Sequence, residues 1–444
     1  MKQARTLVFS ALLGAACLPA LALDLLQAYD AALQEDATVR AARAAAESGR
    51  ERLPQARAQL LPNLSFSAGR NKNDLSRTQP NLLGVDSTTN DKYFSSNQTF
   101  SLRQPLYRRQ LTAAYDQAGY VVADVEASLE RELQGLGVRV AGAYLEALLA
   151  RDQLDLVLSQ KAATTVQVDA AGKAFAAGAG TRTDIDEAQA RLDMVVAQEL
   201  EARQNVDLTR RQLEVLVNKP VDTLTPLNVA RMPLRMPVPA LLEDWTRLAE
   251  EKSPEIASLR ARFEAARLEV SKAQAGHQPT LDLVAQVTRS ASENVTSPSS
   301  SYTNRLFGWQ LNLPLYAGGY VNSTVRQALA DQQRAEEQLE ALRRDLGVRV
   351  HREFRGVTEG ILRVKALEQA ARSAEQVVLS NRKSFQAGVR TRVDILNAEQ
   401  QQQSTLRDLA QARYMYLAAQ IRLLSLAGGD MRQALTETNS WLGR

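Results

Sequence analysis

The sequence predicts a mainly α, internally duplicated chain that also carries four β-strands long enough to cross a bilayer. Three observations carry this expectation. The stretch Ala174–Glu187 recurs as Ser384–Asn397, with Phe175, Gly178, Thr181 and Asp184 matching Phe385, Gly388, Thr391 and Asp394 at an offset of 210 residues. Long proline-free runs with helical periodicity flank both copies. Each half also holds two segments that alternate apolar and polar residues, the period of a strand with two different faces.

The first residues read as a secretory signal. Lys2 and Arg5 precede an apolar stretch from Leu7 to Leu18, and Ala20-Leu21-Ala22 forms a small-residue cleavage site. Cys17, the one cysteine, lies within it, with Gly14 three residues before where a lipoprotein would carry an aliphatic side chain. Cleavage after Ala22 then leaves no thiol or disulfide chemistry. It also removes Lys2 and Arg5 from 54 basic residues, which leaves two more bases than the 50 acids. A chain so nearly neutral does not show the basic stripe of a nucleic-acid binder. Aromatics are 5% of the residues, a composition of long helices rather than of a large mixed core.

Leu23–Leu61 reads as a helix kinked near Pro54 and ended by Pro62. Leu64–Ala68 and Tyr93–Arg103 alternate as strands. Asn71–Lys92 between them is rich in Asn, Ser, Thr and Pro and reads as a loop. Leu106–Lys219 contains no proline and carries a seam through Leu136, Val140, Tyr144 and Ala147. Its turn pairs Gly178, suited to a left-handed helix end, with Thr181, suited to cap the next helix. Pro220–Pro239 reads as a linker. The second half repeats the order: a helix over Leu241–Ala275, a strand over Leu281–Thr288, a loop over Ser290–Ser301, and a strand over Phe307–Leu313. A helical run then goes from Leu315 to the C-terminus, with Leu346, Val350, Phe354 and Val357 on its seam and Gly388 and Thr391 at its turn. The predicted parts are thus a signal (1–22), a first repeat (23–219; strand pair 63–104, tip near 178–184), a linker (220–240), a second repeat (241–428; strand pair 279–314, tip near 388–394) and a tail (429–444).

Lengths suggest the arrangement. Leu106–Ala177 spans roughly 108 Å as a helix, Leu23–Leu61 roughly 58 Å and Asp184–Asn218 roughly 52 Å. One long helix beside two half-length helices is the economical packing. Strands of ~10 residues cross a bilayer when tilted. Four of them cannot close a barrel, and an open edge in lipid leaves backbone groups unsatisfied. Either the sheet is soluble or several chains close one barrel together. In the latter case Phe307 and Trp309 suit lipid, and Gln310 and Asn312 suit water.

No catalytic or metal-binding set emerges. His277 and His351 lie without companions at ligand spacing, and the chain shows no phosphate loop, dinucleotide fingerprint or nucleophile elbow. No cofactor and no enzymatic activity are expected.

The chain resembles the TolC family of outer-membrane channel-tunnel proteins over essentially the whole mature sequence. The resemblance is carried by Leu60-Leu61-Pro62-Asn63-Leu64, by Gln104-Pro105-Leu106-Tyr107 and Leu313-Pro314-Leu315-Tyr316, by Ala387–Leu396, and by Asn397–Gly428 with Ala412-Arg413-Tyr414. It implies a homotrimer whose twelve-stranded outer-membrane barrel continues into a long periplasmic α-helical barrel, with linker and tail as a belt. It implies an exit duct for proteins or small toxic compounds, served by a periplasmic adaptor and an inner-membrane ABC or proton-driven transporter. It implies a gate at the tips, with Arg390 and Asp394 in the second and Thr183 and Asp184 as bonding partners of Arg390. Asn397 stands where the best-known type has a second inward carboxylate, so weaker cation selectivity is expected. A dedicated multidrug or metal efflux duct is the alternative within this class, and a secreted coiled-coil scaffold the alternative outside it.

Overall fold

The computed structural model describes residues 22–80, 84–292 and 299–443. The expected signal, apart from Ala22, lies outside them, as does much of the expected loop 290–301. The chain divides into two compact units. One comprises Ala41–Glu132 and Leu248–Val348, the other Met1–Arg40, Leu133–Arg247 and Arg349–Arg444.

The first of these holds a four-stranded antiparallel sheet in the order β1 (Asn63–Pro80), β2 (Asp86–Tyr107), β3 (Thr280–Ala291), β4 (Ser301–Asn312). The register aligns side chains in rows. Leu64, Leu102, Ala285 and Phe307 lie side by side across all four strands, and Phe66, Phe100 and Val287 form the next row. This face is mainly apolar, with Arg305 completing the second row on β4, and it is uncovered within the chain, with Phe307 77% and Trp309 70% exposed. The opposite face is polar: Ser65 and Ser101 hydroxyls are bonded at 2.7 Å, and Thr99 and Thr288 at 3.4 Å. The expected loop Asn71–Lys92 is instead mostly strand. Residues 71–80 and 86–95 pair with each other beyond the end of β3 as a two-stranded ribbon. Its polar side chains pair across the strands, Thr78 with Thr88 and Arg77 with Asp91, so composition that reads as a loop here satisfies a ladder.

Where the sheet meets helix, Asp282 is 2% exposed and holds two guanidinium groups. Arg108 Nε donates to Oδ1 at 2.7 Å and Arg103 Nε to Oδ2 at 2.9 Å. This fixes the irregular end of β2, whose register shifts between Pro105 and Tyr107, against the start of α4 (Arg109–Ala176).

The N-terminal helix is three helices: α1 (Leu25–Glu35), α2 (Ala37–Arg50) and α3 (Arg52–Ala58). Asp36 makes the first break. It leaves helical geometry at ψ 123° and its carboxylate accepts the Val39 N–H at 2.9 Å, so it caps the following helix. The second break falls at Glu51, with Pro54 in the first turn of α3, so the helix is interrupted where the proline was expected to disturb it. The expected helix Leu241–Ala275 is likewise two, α6 (Leu242–Lys252) and α7 (Pro254–Gln274), with Pro254 at the first helical position.

The other unit contains the hairpin ends α4/α5 and α8/α9, with α5 at Arg182–Val217, α8 at Tyr320–Gln386 and α9 at Arg392–Leu426. The predicted seam is buried at Leu136, Val140, Tyr144 and Ala147, and in the second repeat at Leu346, Val350 and Val357, while Phe354 is half-buried. Each hairpin also buries a carboxylate held by bases. Glu199 on α5 accepts from Lys161 on α4 at 2.6 Å, and Glu353 on α8 accepts from Arg422 on α9 at 2.8 Å. The linker packs on these helices through two tyrosines. Tyr144 donates to the Leu23 carbonyl at 2.9 Å and accepts the Thr225 N–H at 3.2 Å, and Tyr416 accepts the Arg235 N–H at 3.1 Å. The expected tail contains α10 (Met431–Asn439), which packs on α1 and α9. Gly137 of α4 makes room for it, since a Cβ there would stand 2.1 Å from Met431 Cγ.

Between α4 and α9, the Tyr414 hydroxyl donates to Asp152 at 2.7 Å. Burial raises the Asp152 carboxyl above its ordinary value, and the Tyr414 bond only partly offsets this. A carboxyl raised in this way costs stability in full above its folded value, and the cost fades as pH falls toward its unfolded value, so Asp152→Asn is expected to stabilise the protein near neutral pH and by less as pH falls. Thermal unfolding at two pH values checks this; destabilisation at neutral pH would contradict it.

Candidate functional site

Both hairpin tips are built alike. Gly178 and Gly388 each have φ 73°, the left-handed geometry that glycine takes without strain. The helix that follows each is closed by a reciprocal cap. At the first tip the Thr181 N–H donates to Asp184 Oδ2 at 2.8 Å, and the Asp184 N–H donates to Thr181 Oγ1 at 3.2 Å. At the second, the Thr391 N–H donates to Asp394 Oδ2 at 2.9 Å, and the Asp394 N–H donates to Thr391 Oγ1 at 3.3 Å. These bonds hold both carboxyls below their ordinary value. The threonine N–H is the main cause, then its hydroxyl, with Arg392 adding to the effect at Asp184 and Arg390 at Asp394. The sign follows: a lowered carboxyl stabilises the fold fully above its unfolded value and loses that contribution only as pH falls through the folded one. The caps therefore persist through neutral pH.

Arg390 Nη1 lies 3.7 Å from Asp394 Oδ1, four residues on. Thr183 is exposed in the first turn of α5. Within one chain Arg390 pairs with its own Asp394 and makes no hydrogen bond or ion pair to Thr183 or Asp184. The base whose charge bears on Asp184 is Arg392, which lies over the Phe385 ring at 5.8 Å. Arg182, its counterpart in the repeat, pairs with Asp186 instead at 3.3 Å. Asn397 accepts from Arg191 of α5 at 3.5 Å, so the position links the two hairpins.

Sequence reasoning missed a group just behind the tips. Glu399 of α9 accepts from Gln167 of α4 at 2.5 Å and from Arg382 of α8 at 2.7 Å. Comparison of the repeats could not find it, because its counterparts at an offset of 210 are Gln189 and, for Arg382, Gly172. Beside it opens a groove of about 1080 Å³ lined by amides, among them Gln160, Gln198, Asn205, Gln400 and Gln403. Among the described residues, no helix is long and apolar enough to cross a membrane, and no group of three or more His, Cys, Asp or Glu is placed to hold a metal.

The outer membrane efflux protein family matches residues 28–219 and 245–429. The alkaline protease secretion protein AprF of Pseudomonas aeruginosa is 36% identical, over 96% of this chain and 89% of its own length. The outer membrane protein TolC of Escherichia coli is 30% identical, over 95% of this chain and 85% of its own. Among solved structures, the outer membrane protein VceC from Vibrio cholerae superposes with a TM-score of 0.78 at 21% identity, covering 92% of this chain and 96% of that one.

Proposed function

Because the chain belongs to the outer membrane efflux protein family, the TolC family, we propose that three copies assemble into a duct gated at the hairpin tips. The protein is an outer-membrane exit duct for proteins or small compounds, and it extends into the periplasm. The observation that carries the trimer is the sheet. It has an apolar face across four strands, and its outer strands β1 and β4 each have a neighbour on one side only. Such edges need partners in lipid. Two copies would give eight strands and almost no lumen, whereas three give twelve and a passage.

In this reading the tips converge at the periplasmic entrance. Arg390 and Asp394 form the constriction, and Thr183 and Asp184 of a neighbouring copy are within the reach of Arg390 that they lack inside one chain. A ring of three Asp394 carboxylates focuses the field at the entrance. Asn397, a neutral amide held by Arg191, adds no second ring. The energy comes from an inner-membrane transporter, ABC or proton-driven, coupled through a periplasmic adaptor. Likeness to a protease secretion protein favours protein cargo. The mass of the detergent-extracted complex tests the assembly. Three chains per particle in the outer-membrane fraction is the expected result, and a monomer or dimer of intact fold would overturn it.

A further inference from the structure

We propose that the outward face of the sheet carries a basic collar that binds the phosphorylated headgroups of outer-leaflet lipid. The proposal rests on the reading of the apolar face as lipid-facing and names what lies above it. The apolar rows give way to bases as the strands run away from the helices. Arg305 ends the second row, beside Val287. In the third row Ala68, Gln98, Arg289 and Thr303 lie side by side. Arg70 stands in the fourth row opposite Ser96, and Lys72 in the fifth opposite Phe94. All four bases are exposed. They lie seven to nine residues along their strands from the helix-proximal ends Asn63, Thr280 and Asn312. In tilted strands that is roughly 18–24 Å of height, the far edge of an apolar band about 25 Å tall.

The charge on this face is one-sided. Among the described residues it holds no Asp or Glu from the helix-proximal ends up to Lys72. The first acid, Asp74, is paired with Lys92 at 3.4 Å. Asp91 and Asp282 belong to the opposite face and are paired with arginines there. Among the described residues, no acid is within ion-pair distance of Arg70, Lys72, Arg289 or Arg305. Bases at the edge of hydrocarbon need an anion, and phosphate at headgroup level supplies one. Arg289 and Arg305 are diagonal neighbours on adjacent strands, about 7–8 Å apart at the backbone, so one headgroup can bridge them. Arg70 lies over the Phe94 ring, 4.9 Å from its centroid. Stacking on one face leaves the guanidinium edge to meet phosphate in bidentate fashion. The occupant is a lipid rather than free phosphate because the bases continue directly from the rows of Leu64, Phe66, Phe100 and Phe307, which acyl chains would cover.

The test is native mass spectrometry of the mature protein in neutral detergent, titrated with bisphosphorylated lipid A. Trimers carrying the lipid are expected, with dephosphorylated lipid A bound at least tenfold more weakly and millimolar inorganic phosphate failing to displace it. Each base near an anionic lipid surface is worth about fivefold in affinity, so Arg289→Gln with Arg305→Gln is expected to weaken binding about thirtyfold. Arg70→Gln with Lys72→Gln is expected to do the same. Arg289→Lys with Arg305→Lys keeps the charge and is expected to retain most of the affinity. The same spectra report the assembly of every variant. Intact trimers that bind both forms of the lipid equally, or whose affinity survives both glutamine pairs, overturn the collar and keep the barrel. Displacement by inorganic phosphate overturns the lipid as occupant. Wild-type particles that are monomers of intact fold overturn the lipid-facing reading and the collar with it.

Discussion

Asp282→Ala is expected to destabilise the protein by about 3 kcal/mol and to lower sharply the amount of assembled complex in the outer membrane. Removing one partner of a buried ionic cluster costs about 3–5 kcal/mol, because the remaining charge loses its compensation and cannot regain water. The low end applies here, since Arg103 is 53% exposed and Arg108 29%. The damage is also positional. Asp282 holds Arg103 within β2 and Arg108 just after it, on either side of the irregular stretch at Pro105 and Tyr107. Without the carboxylate, two guanidinium groups face one another where the strand turns into α4. Asp282→Asn keeps one acceptor oxygen and is expected to fall between. Denaturant midpoints and the yield of membrane-extracted complex check both variants. Wild-type stability of the alanine variant would show that the cluster is solvated in the assembled protein.

Arg390→Ser is expected to open the entrance, with an open fraction about tenfold above wild type, because it removes the proposed tie to Thr183 and Asp184 of a neighbouring copy from the closed state. The change leaves the turn intact. Gly388 keeps its left-handed geometry and the Thr391–Asp394 cap does not use Arg390. Serine cannot reach Asp394, nor across to Thr183 or Asp184 of a neighbouring copy. Stability is expected to change by less than about 1 kcal/mol, because Arg390 is over half exposed and such pairs contribute little to folding. A large conductance change without a stability change separates a gate from a structural bond. Asp394→Asn in the same experiment is expected to lower cation preference if its carboxylate forms the proposed negative ring.

The tips were legible in the sequence because their chemistry is local. Gly388, Thr391 and Asp394 fall within seven positions, and each does what its type does in any helical turn. The strand rows were legible for the same reason, since Phe307 and Trp309 announce a face by alternation alone. The ribbon at 71–80 and 86–95 was not, because side chains such as Thr78 and Thr88 that pair across a solvated ladder are the same types that fill loops. Nor was the break at Asp36, which reads as an ordinary surface acid until its carboxylate is seen on the Val39 N–H. Glu399 was the least legible. Its partners lie 232 and 17 residues away, and nothing in a single sequence says that three separate helix positions meet.

The central claim, a duct closed at its helical tips, is tested most directly by the resting single-channel conductance of the wild-type protein beside Arg390→Ser in a planar bilayer. A small, steady wild-type conductance that rises in Arg390→Ser is the predicted result. A wide-open wild type unchanged by the substitution, or well-folded complexes that pass no current at all, would contradict it.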